Sequence, residues 1–242
     1  MAHDLDVPPS GQSGADWASL YRTRGNEVVH HRPVFTGDVF ERVEVQGLGS
    51  TKKKSIMVLQ HPCALRTNGV DLTDRLLIAE VRTHPLIVIK DWSGHLSKMP
   101  LPDLVPTVDS GRRHQAAFFD QPYFVAPENL YLAKRIACLS QVGVNLLLQR
   151  WVHYNSRATV PTSTYQEVSS PAYEEADLIE EWCDECATDE DFDIPKATAD
   201  AVKWLREDAG AGLSRQRLLE DPQSRSTVRR DMRAELRRQH EN

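Results

Sequence analysis

The sequence predicts an α+β protein in which a small antiparallel β-barrel is followed by a packed helix and a C-terminal helical appendage. Short apolar runs rich in β-branched residues alternate with Gly and Pro over residues 33–139, which is typical of barrels and sandwiches. A parallel sheet needs crossover helices of about 10–15 residues between its strands, and no such helical pattern occurs before residue 139. After that residue the apolar spacing becomes helical.

The predicted strands follow one another at short intervals. Residues 38–46 alternate apolar and polar side chains, as expected of a strand with one buried face. Further strands are predicted in the apolar stretches 54–60, 75–81, 85–91, 115–120 and 123–139. The segment before them, residues 1–32, is expected to be mostly flexible.

A helix over residues 140–157 completes the predicted barrel domain, 33–157. Apolar side chains cover most of its surface, so it must pack against the sheet on more than one side or against a second subunit. Residues 158–172 are rich in Ser, Thr and Pro and predict a linker. A later helix is predicted to begin near Pro195, with Asp193 as its N-cap.

The helical appendage, residues 173–242, ends in a narrow apolar seam. Val228, Met232 and Leu236 recur at i, i+4 and i+8 between arginines. So thin a stripe cannot form a core of its own. We therefore expect these three side chains to lie on another surface and to bind a partner protein.

Composition excludes several classes of protein. The 242 residues carry 29 Lys and Arg against 35 Asp and Glu, a net charge of −6. No apolar run approaches the roughly 18 residues of a membrane span, and the first residues lack the basic and apolar regions of a signal peptide. Four cysteines in a chain without an export signal indicate reduced thiols. We expect a cytoplasmic protein with no membrane contact.

The charge is divided along the chain. Residues 174–193 carry 11 acidic side chains and no Lys or Arg, whereas the last 29 residues carry eight Arg. One interpretation is an appended module with its own partner. The other is an acidic helix whose charge the terminal arginines offset.

Cys183 and Cys186 form a Cys-x-x-Cys pair within the acidic block. A structural zinc site needs four ligands, and the chain has no second pair of this kind. Acidic neighbours also raise the pKa of a thiol, which opposes reactivity. We predict structural cysteines, and neither a metal nor a cofactor.

His61, Cys63 and His84 lie at the ends of predicted strands, and pairing of those strands would bring them to one rim of the barrel. The sequence leaves that convergence open. Because histidine titrates near neutral pH, His61 or His84 is the candidate for general acid–base catalysis. A metal site formed by these residues is the weaker alternative.

A cationic cluster, residues 52–54, falls in the predicted connection between two strands. Closely spaced cations replace the counterions of a nucleic acid, although a solubilising hairpin tip gives the same pattern. The candidate nucleic-acid contacts are Lys52, Lys53, Lys54, Arg66, Arg112 and Arg113. Four aromatic residues between positions 118 and 124 are interpreted as core rather than as a stacking platform.

Three segments resemble strands of the MazF/PemK-type toxin barrels. Pro33–Phe40 contains a Gly-Asp-Val like that of the family's first strand, Ser55–Gln60 is similar to its second strand and Arg75–Val81 to its third. The resemblance implies a small, often dimeric barrel. Many members cleave single-stranded RNA without a metal, using an Arg in the basic loop and a Thr or Ser after the third strand. Here Thr83 is the nearest hydroxyl after that strand, which implies a catalytic role for it.

Two functions follow from these observations. The first is a non-enzymatic interaction module that docks by its C-terminal helices into a larger bacterial or phage assembly, with a role in host defence. The second is a metal-independent single-stranded endoribonuclease of the toxin type, whose acidic segment 174–193 folds over a basic groove. An RNA-binding barrel without activity, an unrelated barrel and a homodimer remain alternatives.

Overall fold

The computed structural model describes residues 5–11, 14–47, 50–67, 71–105, 112–187, 192–210 and 212–240. The chain forms two compact units. The first contains Met1–Val29, Phe35–Leu65 and Leu72–Ser169, and the second contains His30–Val34, Arg66–Asp71 and Ser170–Asn242. Within the described ranges, no helix combines the length and the apolar character that crossing a membrane requires.

An antiparallel sheet of seven strands is the centre of the first unit. After the two-residue strands β1 (Ser10–Gly11) and β2 (Gly14–Ala15), its strands are β3 (Tyr21–Arg24), β4 (Val39–Gly47), β5 (Ser50–Val58), β6 (Leu76–Pro85), β7 (Lys98–Leu101), β8 (Arg113–Val125) and β9 (Lys134–Leu139). Their order in the sheet is β3-β9-β4-β5-β6-β8-β7. The predicted α+β class is confirmed, whereas the sheet does not close into a barrel.

Side chains of one edge strand, β3, donate to the segment that follows the other edge strand, β7. The Tyr21 hydroxyl donates to the carbonyl of Pro102 at 2.8 Å, and Arg24 donates to the carbonyl of Asp103 at 2.8 Å. β7 has four residues, of which Pro100 is one, and Pro102 follows it. Because proline has no N–H to donate, this edge is poorly suited to pair with another strand.

β3 lies in the segment for which the sequence predicted flexibility. It pairs with β9 and follows a 3₁₀ turn, Trp17–Leu20, whose Leu20 is fully buried. Four residues are too few to show a periodic pattern, so the strand depends on its partner rather than on a local signal.

The three lysines of the cationic cluster lie in strand β5 and not in a loop. Lys52, Lys53 and Lys54 are opposite Val45, Glu44 and Val43 of β4. Since successive residues of a strand point to opposite faces, Lys53 points away from the other two. The intervening residues 48–49 lie outside the described part of the chain.

One predicted strand has another structure, and one stretch predicted to supply strands contains a short helix as well. Residues 85–91 contain the end of β6 and the start of a 3₁₀ helix, Ile89–Gly94, in which Trp92 is fully buried and donates to the carbonyl of Ile87 at 3.2 Å. Residues 123–139 contain the end of β8, the short helix α1 (Pro127–Tyr131) and β9. Proline at the start of α1 suits a helix, because the first N–H groups of a helix have no partner within it.

Helix α2 (Gln141–Ser156) agrees with the predicted helix, and the Ser140 hydroxyl caps it by accepting from the N–H of Gly143 at 3.1 Å. Two of its polar side chains, Asn145 and Gln149, are buried. Asn145 donates to Gln166 at 2.6 Å, and Gln149 donates to Asp6 at 3.0 Å.

Helix α3 (Thr162–Cys186) includes most of the predicted linker. Its first residue, Thr162, donates from its N–H and its hydroxyl to the Asp6 carboxylate at 3.0 and 2.8 Å. Asp6 is 156 residues away in sequence, so the cap that starts this helix gives no local signal.

The second unit has a helical core of its own, built from the later part of α3, α4 (Ile194–Arg206), α5 (Arg215–Leu218) and α6 (Arg225–His240). As predicted, Asp193 caps α4, accepting from the N–H of Lys196 at 3.1 Å. The side chains of Val228, Met232 and Leu236 are 1–3% exposed in this core. The seam therefore packs against other helices of the same chain. The prediction that these three residues bind a partner protein is wrong.

Candidate nucleic-acid interface

Three histidines meet at one end of strands β6 and β8. His84 of β6 is directly opposite His114 of β8, and their ring centroids are 6.0 Å apart. His95, which follows the 3₁₀ helix before β7, places its ring 6.0 Å from that of His84. Together with neighbouring side chains they form the histidine site, which consists of Arg82, His84, His95, Lys98, His114 and Phe118.

Strand alternation and register explain why these side chains share a face. Arg82 and His84 are two residues apart on β6, and Phe118 of β8 is opposite Lys98 of β7. Thr83, between Arg82 and His84, points to the other face, where its hydroxyl accepts from Gln115 at 3.1 Å. The resemblance implied catalysis by Thr83, but the structure places it on the face opposite to His84.

Two contacts orient the His84 ring. Lys98 Nζ lies 3.3 Å from His84 Nε2, and the carbonyl of Pro85 lies 2.6 Å from Nδ1. An ammonium group only donates and a carbonyl only accepts. Hydrogen bonds to both groups therefore require the tautomer in which Nδ1 carries the proton and Nε2 offers a lone pair.

His114 lies beneath the pair and is 1% exposed. Neither of its ring nitrogens has a hydrogen-bond partner among the described residues. Burial, together with the nearby His84 and His95, lowers the pKa of His114 to about 4. This histidine is consequently neutral at physiological pH and adds no charge to the site.

His95 is half-buried, and its backbone is held by Arg150. Arg150 is fully buried and donates to the carbonyls of Trp92 and His95 at 3.0 and 3.4 Å. Burial lowers the pKa of His95, and the charges of Lys98 and His84 act in the same direction. His95 is therefore a weaker base than a free histidine.

Phe118 brings the two cations of the site together. The guanidinium carbon of Arg82 lies 3.9 Å from the centroid of the Phe118 ring, and Lys98 Nζ lies 5.2 Å from it. Arg82 also pairs with Asp120 at 3.4 Å, where the two side chains are 39% and 50% exposed. Within the described ranges, no salt bridge joins Lys98 to a carboxylate, so its charge is available to an anion.

One lysine of the cationic cluster, Lys54, is next to this face. Lys54 Nζ donates to Glu80 at 2.5 Å and lies 4.9 Å from the centroid of the Tyr123 ring. Glu80 is two residues from Arg82 and opposite Phe118. The lysine is thus already paired, and Lys52 and Lys53 are the exposed members of the cluster.

The structure separates the other predicted residues. His61 accepts from the N–H of Cys63 at 3.2 Å at the end of β5, and burial lowers its pKa. Arg66 belongs to the second unit and donates to the carbonyl of Val34 at 3.2 Å. No contact between His61 or Cys63 and His84 is found in the described part of the chain, and no group of three His, Cys, Asp or Glu side chains there could hold a metal ion.

Arg112 and Arg113 are exposed at the start of β8, next to His114 in sequence. Arg113 is opposite Pro85, and the N–H of Leu86 donates to the carbonyl of Arg112 at 2.9 Å. These two predicted cations therefore lie at the same end of the sheet as the histidine site.

Sequence reasoning missed Arg82 and Lys98. Arg82 shares the face of His84 through the two-residue period of β6, a signal that the sequence contains. Lys98 reaches the site only through the pairing of β7 with β8, which has no local signature.

In the second unit, arginines offset the charge of the acidic helix. Arg229 pairs with Glu181 at 2.5 Å and with Glu174 at 3.4 Å, and Arg233 pairs with Glu181 at 2.5 Å. Arg32 also forms a salt bridge with Glu180. These contacts support the interpretation in which basic residues neutralise the acidic block.

No family model, curated protein or solved structure matches this chain. The similarity to the MazF/PemK-type toxins consequently stays a prediction. The function has to be argued from the chemistry of the site.

Proposed function

We propose that this protein binds single-stranded nucleic acid through the histidine site. The observation that carries the proposal is the convergence of Arg82, Lys98 and His84 around the half-buried Phe118 ring. Cations beside an aromatic ring are what a nucleic acid strand requires, since phosphates pair with the cations and bases stack on flat groups.

Each group has a part in this interface. Lys98 is a cation without a carboxylate partner in the described residues and suits a backbone phosphate. The Arg82 guanidinium, whose carbon lies 3.9 Å from the centroid of the Phe118 ring, offers a plane on which an unpaired base stacks. Arg112 and Arg113 add exposed charge at the same end of the sheet. Stacking of this kind needs splayed bases, which favours a single strand over a duplex.

This proposal takes precedence over docking by the C-terminal helices. The docking hypothesis depended on the seam of Val228, Met232 and Leu236, and those side chains are buried in the core of the second unit. An interaction module would need a different surface of the helices.

The test is fluorescence anisotropy of the full chain with a labelled single strand of about 12 nucleotides, a length that matches known single-strand sites. The double variant Arg82→Ala/Lys98→Ala should lower the affinity at least about tenfold, and should reduce the dependence of log K on log salt by roughly 0.7, for the one phosphate contact of Lys98.

Arg217→Ala is the matched control, because Arg217 is exposed and pairs only locally, with Glu220 at 2.7 Å. It should bind like the wild type. Equal affinity and equal salt dependence in the double variant would exclude the histidine site as the interface.

A further inference from the structure

We infer that the bound strand is RNA and that the histidine site cleaves it, with the ribose 2′-hydroxyl attacking the adjacent phosphorus and His84 Nε2 acting as general base. This inference rests on the proposed function, since a strand must first bind. It adds a reaction and a substrate class, because DNA has no 2′-hydroxyl.

The base is prepared by two hydrogen bonds. The Pro85 carbonyl holds the proton of His84 on Nδ1, which leaves Nε2 with its lone pair directed at Lys98. A phosphate that pairs with Lys98 replaces Nε2 as the acceptor of the ammonium group, which leaves the lone pair of Nε2 free to accept a proton. Fixing one ring nitrogen so that the other is a base is how histidine is set for proton transfer.

The second histidine supplies the acid. The rings of His84 and His95 are 6.0 Å apart, a separation that one phosphodiester can span, and Lys98 Nζ lies 3.3 Å from His84 Nε2. The lowered pKa of His95 makes its protonated form a stronger acid. Lys98 would neutralise the charge that develops on the non-bridging oxygens.

The step balances without a co-reactant. The 2′-oxygen forms a bond to phosphorus while its proton passes to His84 Nε2, and the bond from phosphorus to the 5′-oxygen breaks. That oxygen takes a proton from His95. The products are a 2′,3′-cyclic phosphate and a 5′-hydroxyl, and a proton exchange with water restores both rings.

The charged groups around the pair set the expected pH dependence. Lys98 and Arg150 favour the neutral form of His95, Asp91 favours its protonated form, and His114 stays neutral beneath both rings. Because His95 acts in its protonated form and its pKa is lowered, the rate should fall as the pH rises through neutrality.

The experiment compares three labelled strands of one sequence, RNA, DNA and 2′-O-methyl RNA, with the full chain in EDTA. Anisotropy measures binding, and gel electrophoresis with mass spectrometry identifies the products. We expect the wild-type protein to cleave RNA alone and to leave a 2′,3′-cyclic phosphate. His84→Asn should lower the rate at which bound RNA is cleaved, measured at a saturating protein concentration, at least about 100-fold.

His153→Gln is the matched control, because His153 is in α2 and contacts Thr159 at 3.0 Å, and it should cleave like the wild type. If His84→Asn fails to fold, as judged by circular dichroism, His95→Asn provides the same comparison. RNA that is bound but not cleaved, DNA cleaved as fast as RNA, or a fully active His84→Asn would each overturn this inference. Absence of RNA binding by the wild type would instead overturn the proposed function.

Discussion

At the scale of single residues, the least expected feature is a buried histidine without a hydrogen bond. His114 is 1% exposed, and its ring nitrogens have no partner among the described residues. A buried polar group without a partner costs roughly 1–3 kcal/mol. Such a cost is typical of positions where function constrains the residue, and His114 lies under the two rings to which we assign proton transfer.

His114 should make the stability of the protein fall in mild acid. The unfolded chain binds a proton near pH 6.5, whereas folded His114 does not bind one until about pH 4. This difference in proton binding lowers the free energy of unfolding as the pH falls from 6.5 towards 4, by about 3 kcal/mol in all. Above pH 6.5 neither state binds the proton, and the free energy of unfolding is not reduced. Urea unfolding across this range measures the loss.

The variant His114→Phe isolates this effect. It keeps a ring at the position and removes the titrating group, so its stability should fall less steeply with pH than that of the wild type. His61 and His95, whose pKa values are also lowered, retain their smaller contributions in both proteins. Identical slopes in the two proteins would contradict the prediction.

At the scale of secondary structure, elements with a local signal were predictable and elements that depend on distant partners were not. β4 has an alternating pattern, α2 begins at a serine cap and α4 begins at Asp193 and Pro195, and the sequence predicted all three. By contrast, the start of α3 depends on a carboxylate 156 residues away.

The same distinction applies to the candidate site. His84 was identifiable by residue type, because few side chains titrate near neutral pH. Its relation to His95 and Lys98 depends on the 3₁₀ helix that replaces a predicted strand and on the pairing of β7 with β8. Register between strands distant in sequence follows from packing, which one sequence does not display.

Asp6 should stabilise helix α3 more than an ordinary cap does. Its carboxylate accepts from the N–H and hydroxyl of Thr162 and from Gln149. Burial would raise its pKa, but these hydrogen bonds outweigh that effect and hold the pKa below 3.8. Asp6→Ala should cost about 2 kcal/mol in urea unfolding.

Asp193→Ala is the comparison, since Asp193 is an exposed cap with one hydrogen bond to the backbone, from the N–H of Lys196. It should cost about 1 kcal/mol. Equal losses in the two variants would show that the extra bonds to Asp6 do not stabilise α3.

At the scale of the whole molecule, the uneven charge of the chain has two separate outcomes. Residues 1–173 have a net charge of +2 and residues 174–242 a net charge of −8. In the second unit, the acids of α3 meet the arginines of α6. In the first unit, Lys98 has no carboxylate partner within the described chain, and Arg112 and Arg113 are exposed. Charge therefore serves packing in the helices, whereas in the sheet it leaves cations to which we assign the proposed binding of nucleic acid.

Glu181 takes part in this neutralisation with two arginines. It accepts from Arg229 and Arg233, both at 2.5 Å, and its side chain is 19% exposed. Glu181→Gln should lower the free energy of unfolding by about 1–2 kcal/mol, because it weakens two charge-assisted hydrogen bonds in a partly buried place. Hydrogen exchange should locate the loss in α3 and α6, while the strands of the sheet keep their protection.

Glu220→Gln, which removes a pair whose side chains are 69% and 58% exposed, should change stability by less than about 0.5 kcal/mol. Faster exchange in the sheet strands of Glu181→Gln, or an effect no larger than that of Glu220→Gln, would mean that this ion-pair network does not stabilise the helical unit.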